Sequence, residues 1–440
     1  ATEGRLSVEI IADIVDETPA ESLFLQLSNP VNATLAGSEA EGTIIDDDID
    51  IHLLNWSNRM AITFSGYDRP ETLSNFTALA LFHPGIGYNT FASGAGLDLR
   101  IANEDLTALL DYDIEQWDTN GNSIIWIRLP ELAGSNATVW AYWGNPAATA
   151  HTGTAWDAAF HAVYHFAENT GTTAPDSGPA MADGTLVNMN DADWTAGRFG
   201  NGLDFDGIDD GVSTPVDIDQ STASDGITYE AWVFPRTANG SFERIFDADD
   251  GGWDWSLALD AAPRWDVFSG NNQFDSGHIA DLGAWQYLSA VFDPLRGEIR
   301  VFKDGVQRTV NDLNYDTGDA LVNIGSALPG NAFDGLIDEA RIARVSRSTN
   351  WVWATWLNMA SNDVFNTYGP VERIDPGAAS LLAVYGATNI TDNAAWLTAR
   401  LTATGSLPST LHVYWGTNNG GTVPANWENT TSLGPIVQTP

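Results

Sequence analysis

The apolar residues of this chain fall in short alternating runs, and that pattern constrains its fold more than any other feature. SLFLQLS, SIIWIRLP, ATVWAYWG, YLSAVF, EIRVFKDG and TLHVYWG place apolar side chains at alternate positions, with Gly, Asn and Asp as punctuation. Successive side chains of an extended strand face opposite ways, so each run has one face to bury and one to leave outside. Helical stripes are few; the best is SRSTNWVWATWLNM over 346–359, which carries a Ser cap and lacks Gly and Pro. The pattern predicts an all-β chain of tandem β-sandwiches. With 18 Trp, 18 Phe and 11 Tyr, the chain also lies far from the disordered regime.

Charge narrows the partners. Against 59 Asp and Glu stand 18 Lys and Arg, a formal charge of -41, and Lys303 is the single lysine. Phosphate backbones and anionic lipid surfaces need cations on the protein, which excludes nucleic-acid and membrane-surface binding. A carboxylate surface with almost no ammonium groups suits high salt or divalent cations, so a saline or calcium-rich exterior is expected. The chain has no cysteine, and stability must come from packing or calcium instead of disulfides. No run of 18 apolar residues argues for membrane insertion in this section, and the opening ATEGRLSVEI reads as part of a mature piece.

Composition shifts divide the chain at about 50, 150 and 370. Residues 1–50 carry twelve acidic residues and one Arg, and seven of the carboxylates gather at two points: Asp13, Asp16, Glu17 and Glu21, then Asp46, Asp47 and Asp48. Such a crowd is either a solvated linker or a site for a hard cation. The string ADIVDETPAESLFLQLSNPVNATLAGSEAEGTIIDDD resembles the C-terminal half of a Calx-beta domain. That resemblance implies calcium ligands at Asp13, Glu17, Glu21, Asp46, Asp47 and Asp48, although Glu17 and Glu21 are one residue further apart than usual.

Residues 51–150, with LDLRI, YDIEQW, IWIRLP and YWGNP, resemble a β-sandwich family of unknown function found in large bacterial and archaeal surface proteins. The likeness brings no catalytic residues. Trp126, Trp140, Tyr142 and Trp143 stand at strand spacing and read as packing before sugar platforms.

Residues 151–370 contain GRFGNGLDFDGIDDGVSTP, ITYEAWVFP, GAWQYLSAVFD, GEIRVFKDGVQ and FDGLIDEARIARVSRS, and resemble laminin-G-like jelly rolls of the concanavalin A-like class. Lys303-Asp304-Gly305 reads as a tight hairpin turn. Asp206, Asp209 and Asp210 crowd the FDGIDDG turn, where Gly207 and Gly211 let the backbone bend toward a cation. The resemblance implies metal ligands at Asp176, Asp206 and Asp338; the plainer reading is that these residues hold turns and strand ends. Glucanases of the same fold need two carboxylates on one strand. GLIDEARI carries Leu336 and Ala340 where those would stand, so a non-enzyme is expected. Trp253, Trp255 and Trp265, in the Gly- and Asp-rich DADDGGWDWSLALDAAPRWDVFSG, are the candidate sugar-stacking residues, with core packing as the alternative.

Residues 371–440, through TLHVYWGTNNGGT, resemble the first half of a fibronectin type III or immunoglobulin-like repeat. Together the four pieces read as a section of a much longer extracellular or cell-surface protein. Three functions stay open: calcium-stabilised adhesion through a glycan or surface-protein partner, a filament or sheath built from copies of the chain, and targeting of an attached polysaccharide-degrading enzyme.

Overall fold

The alternating runs are realised as sheets throughout. The computed structural model describes residues 53–374, except 219–224, 240–241, 249–254, 271, 315–320 and 326–330, together with residue 428. Beyond these it describes three strand pairs as backbone: Glu21–Gln26 with Glu39–Ile44, Ser380–Thr388 with Trp396–Ala403, and Ser409–Trp415 with Asn429–Ile436, all antiparallel. Among the described residues no helix is long and apolar enough to cross a membrane.

Residues 58–143 form a sandwich. One sheet runs Asn58–Thr63, Thr138–Trp143, Arg100–Asn103 and Leu109–Leu110; the other runs Leu73–Phe82, Ser123–Leu132 and Tyr112–Gln116. Asn58–Thr63 obeys the alternation, with Met60 and Ile62 in the core and Arg59 outside against the Trp140 ring. Ser123–Leu132 does not, because Ser123 to Ile127 are buried without a break. A strand loses its alternation when both of its faces are covered, and here the second cover is the neighbouring domain.

That neighbour is a jelly roll of two eight-stranded sheets. One contains Asn201–Asp206, Asp334–Ala343, Ile227–Pro235, Gln286–Asp293 and Glu298–Lys303 in that order; the other runs from Thr173–Ala174 to Asn272–Ile279. The expected hairpin turn is present, with Asp304 and Gly305 both in the left-handed region at φ 48° and 72°. Its inner core packs Tyr229, Phe246, Trp255, Trp265 and Phe292 between the sheets.

The outer face of the first sheet is not free. Trp232, Tyr287, Val291 and Phe302 join Trp156, Phe160 and the sandwich residues Phe76, Trp126 and Trp143 in one continuous core. Helix α1, Thr349–Ala360, adds Trp351, Val352, Ala354 and Met359 to it. The Ser348 side chain accepts from the Trp351 amide and caps α1, so the helix starts at Thr349, three residues after the expected start at Ser346. The short α2, Asn362–Phe365, follows, and then Thr367–Tyr368 and Glu372–Arg373 both pair with Asn58–Thr63.

The α1–α2 segment is fastened to an open edge. Leu73–Phe82 pairs with one strand only, so the far side of its backbone needs partners. Asn358, Asn362 and Asn366 recur every four residues and turn their amides to Leu79. The Leu79 N–H donates to Asn358 Oδ1 at 2.5 Å, and its carbonyl accepts from all three Nδ2 atoms at 3.0, 2.9 and 2.7 Å. Side-chain amides thereby take the place of a missing strand.

Candidate functional site

The site begins with a fault in one strand. Along Asp334–Ala343, strict alternation would send residues 337, 339 and 341 inward, but the jelly-roll core receives Ile337, Ala340 and Ile342. The extra residue is Glu339, whose φ of 54° lies in the left-handed region and costs strain for a residue with a Cβ. The register agrees: Glu230 and Trp232, two residues apart, face Arg341 and Asp338, three apart, which is a bulge. The bulge turns Asp338 and Arg341 toward the sandwich, between the regions where Asn201–Asp206 and Phe160–Tyr164 pair with this strand.

Charged groups from both domains meet there. His165 Nδ1 lies 2.7 Å from Glu339 Oε1 and 3.4 Å from Glu115 Oε2. Arg341 donates to Glu339 Oε2, and Trp126 Nε1 donates to Glu115 Oε2 at 2.8 Å. The Arg341 guanidinium lies over the rings of Trp126 and Trp156 at 4.4 and 4.9 Å. Asp338 Oδ2 accepts the amides of Arg198 and Phe199 at 2.7 and 2.8 Å. The Glu115 and Glu339 side chains are 0% exposed.

Electrostatics sort these acids. Burial, then Glu339 and Asp338, push Glu115 well above the usual carboxylate range. Asp338 is pushed up by burial and by Glu339. Burial acts on Glu339 in the same sense, but His165 and Arg341 outweigh it and bring its carboxyl below the ordinary value.

Above this cluster opens a cleft of about 590 Å³ between the sandwich, the jelly roll and the α1–α2 turn. His83, Gln116, Asn122, Arg198, Phe199, Asn362 and Tyr368 are among its lining residues. Arg198 lies over the Trp232 ring at 4.7 Å, and its guanidinium makes no hydrogen bond or ion pair among the described residues. Gly200, at φ 56°, forms part of the floor, where a Cβ would stand 2.7 Å from Gln116 Oε1. Aromatic and aliphatic walls with a few convergent polar groups suit a small polar ligand.

The residues singled out in the sequence fall in several places. Asp206, Asp209 and Asp210 do come together, each offering an oxygen within 4.8 Å of the others. Burial pushes Asp210 up to about 6, and Asp206 Oδ1 already accepts the Ile208 amide at 2.7 Å. Asp176 and Asp338 are not with them. Asp206 faces Asp334, and Asp338 stands four residues on, about 13 Å away along the strand. Asp176 is a loop staple, its oxygens taking the amides of Val163, Gly178 and Ala182. Val163 pairs with Arg341, a further three residues along the same strand. The three aspartates implied by the resemblance therefore do not make one site.

Two of the sugar-stacking candidates are corrected. Trp255 and Trp265 are 0% exposed; Trp255 stacks on Phe292, and Trp265 Nε1 donates to Gln286. They fill the jelly-roll core and present no face to a ligand. Trp253, Asp13, Glu17, Asp46, Asp47 and Asp48 lie outside the described residues, and Glu21 is described only as strand backbone. Sequence reading passed over Glu115, His165, Glu339 and Arg341. The local signal was DEAR, three charges in the otherwise apolar stretch that follows Asp334 in the strand.

Residues 206–352 match the concanavalin A-like lectin/glucanases superfamily, and residues 95–197 match a domain of unknown function, DUF2341. No curated protein matches the chain. Among solved structures, domain 4 of AbnA, a GH43 extracellular arabinanase from Geobacillus stearothermophilus in complex with arabinotriose, is 21% identical. That match covers 44% of this chain and 96% of that one, at a TM-score of 0.36. Trypanosoma rangeli sialidase in complex with sialic acid is 14% identical over 56% of this chain and 42% of its own, at a TM-score of 0.38.

Proposed function

We propose that this chain is a non-catalytic, glycan-binding section of a large extracellular protein, and that the ligand sits in the cleft between sandwich and jelly roll. The observation that carries the reading is the cleft itself: about 590 Å³, with Arg198 and Asn122 as polar contacts beside Phe199 and Tyr368. The match of residues 206–352 to a superfamily that includes lectins supports it. A hydrolytic role has less support, because the carboxylates of the Asp334–Ala343 strand nearest the cleft, Asp338 and Glu339, are buried. No sugar could pass between them as retaining hydrolysis requires. Calcium belongs to the same proposal, at the Asp206, Asp209 and Asp210 turn, where oxygen donors of one small loop converge.

The test is a glycan array followed by titration of the best hit. Arg198→Ala should weaken binding at least tenfold while leaving the melting temperature within a few degrees. Silence across the array, or affinity indifferent to Arg198→Ala and Phe199→Ala together, refutes the cleft as a glycan site.

A further inference from the structure

We infer that Glu115, His165 and Glu339 hold a divalent transition-metal ion, zinc by preference, which pins the sandwich to the jelly roll. This site is separate from the acidic turn at Asp206 and independent of the glycan reading. It joins three elements distant in sequence: Tyr112–Gln116 of the sandwich, the segment just after Phe160–Tyr164, and the bulge in Asp334–Ala343.

The first argument is an unfilled contact. Glu115 and Glu339 stand within hydrogen-bonding reach of each other, two acceptors side by side. Each has one oxygen held by a donor, Glu115 Oε2 by Trp126 and Glu339 Oε2 by Arg341. Glu115 Oε1 is buried with no hydrogen-bond partner. A donor-held oxygen beside a free one is how outer partners orient a carboxylate on a metal.

Geometry and charge agree. One oxygen or nitrogen from each of the three residues lies within 4.8 Å of the other two. Two donors on one ion, each about 2.1 Å from it, stand about 3.0–3.4 Å apart. The 2.7 Å from His165 Nδ1 to Glu339 Oε1 would lengthen slightly, and the 3.4 Å from Nδ1 to Glu115 is to Oε2, the oxygen that also accepts from Trp126, with the unpartnered Oε1 beside it. Of the buried carboxylates here, Glu339 is paired by Arg341 and His165, Glu230 lies near Arg341 and Arg347, and Asp338 lies near Arg198. Glu115 has only the His165 imidazole, at 3.4 Å, and a cation between Glu115 and Glu339 would answer that gap. An imidazole nitrogen among the donors favours zinc over calcium. His165 would bind through unprotonated Nδ1, keeping its proton on Nε2. Gly200 in the cleft floor separates the cluster from the cleft, and an added Cβ there would stand 3.6 Å from Glu115 Oε1.

The experiment uses the full chain, loaded with zinc, dialysed exhaustively and assayed for metal by mass spectrometry, beside Glu115→Gln. The Gln amide can donate to Glu339, so this variant folds without an ion. The wild type should retain about one more zinc per chain than Glu115→Gln, and a zinc chelator should lower the melting temperature of the wild type alone. His165→Gln should reproduce the loss. Asp209→Asn, which alters only the exposed acidic turn, should not. The inference is overturned if wild type and Glu115→Gln hold equal zinc, or if the chelator moves both melting curves alike. It is also overturned if Glu115→Gln is the more stable of the two under zinc saturation, since a shared proton then explains the carboxyl pair.

Discussion

Replacing Asn358 by Ala should cost more than replacing Asn366 by Ala, although both amides are buried and both bond to Leu79. The difference lies in what each leaves behind. Asn366→Ala removes one of three donors to the Leu79 carbonyl, which Asn358 and Asn362 still satisfy, and it also removes the acceptor of a long Asn358 Nδ2 bond at 3.2 Å and a bond to Tyr368 Oη. Asn358→Ala also removes the acceptor of the Leu79 N–H, on a residue with 0% exposure. An orphaned buried N–H costs about 1–3 kcal/mol, whereas a redundant hydrogen bond contributes about 1 kcal/mol or less. Both variants lose similar packing, so the small cavity each leaves cancels in the comparison. The remaining difference is the main-chain N–H of Leu79, which only Asn358→Ala leaves unpaired, and we expect that variant to be the less stable by about 1 kcal/mol. Urea unfolding followed by tryptophan fluorescence measures it, since Trp351, Trp353 and Trp356 lie on the same helix. Glycan affinity should fall with Asn358→Ala too, because α1 and α2 form one wall of the cleft. Equal midpoints for the two variants would refute the idea that these amides stand in for a strand.

Three further outcomes follow from the same structure. Burial, with Asp260 and Asp275 nearby, pushes Asp266 up to about 6 from 3.8. The folded state therefore holds a proton that the unfolded state releases, and this group's contribution falls as pH rises from about 3.8 to about 6. Asp266→Asn should flatten that part of the melting-temperature profile, and an unchanged slope would count against it. Gly305→Ala should destabilise by about 2 kcal/mol or more, because a Cβ at this left-handed position would lie 2.3 Å from the Trp356 ring; a melting curve like wild type would show that the hairpin can shift. Calcium should raise the melting temperature of the wild type and not of Asp206→Asn, and identical responses would place any bound calcium elsewhere.

How much of this was legible in the sequence depends on how local the signal was. Period-two runs gave the strands, Lys303-Asp304-Gly305 gave its hairpin, and the Ser-capped stretch gave α1, because each is decided by neighbours in the chain. FDGIDDG brought its aspartates together for the same reason. Trp255 and Trp265 were misplaced by composition: Gly and Asp around them suggest loops, but Trp265 on a short strand and Trp255 just before another still bury their large rings. Asp176, Asp206 and Asp338 were linked by analogy of motifs, and the register of one strand separates them. The Glu115, His165 and Glu339 cluster could not be read, since it rests on a bulge and on contacts between residues 50 to 224 positions apart. The Asn358, Asn362 and Asn366 ladder lay in plain view at helical spacing, but only the open edge at Leu79 gives it meaning.

The return of the chain to the first strand of the sandwich, Asn58–Thr63, has a mechanical consequence. Asn58 faces Arg373 and Arg59 faces Glu372, with an ion pair between the latter two and the Ile374 amide bonded to the Ser57 carbonyl. The incoming and outgoing backbones thus run side by side, about 5 Å apart. Tension along a longer polypeptide would pass across this short pair and largely spare the three hundred residues looped out between them. It would open the pair from its end, one rung after another, instead of shearing many rungs at once. The unit would hang from the line of force as a side lobe, adding little to the reach of the chain while its cleft keeps its shape under load.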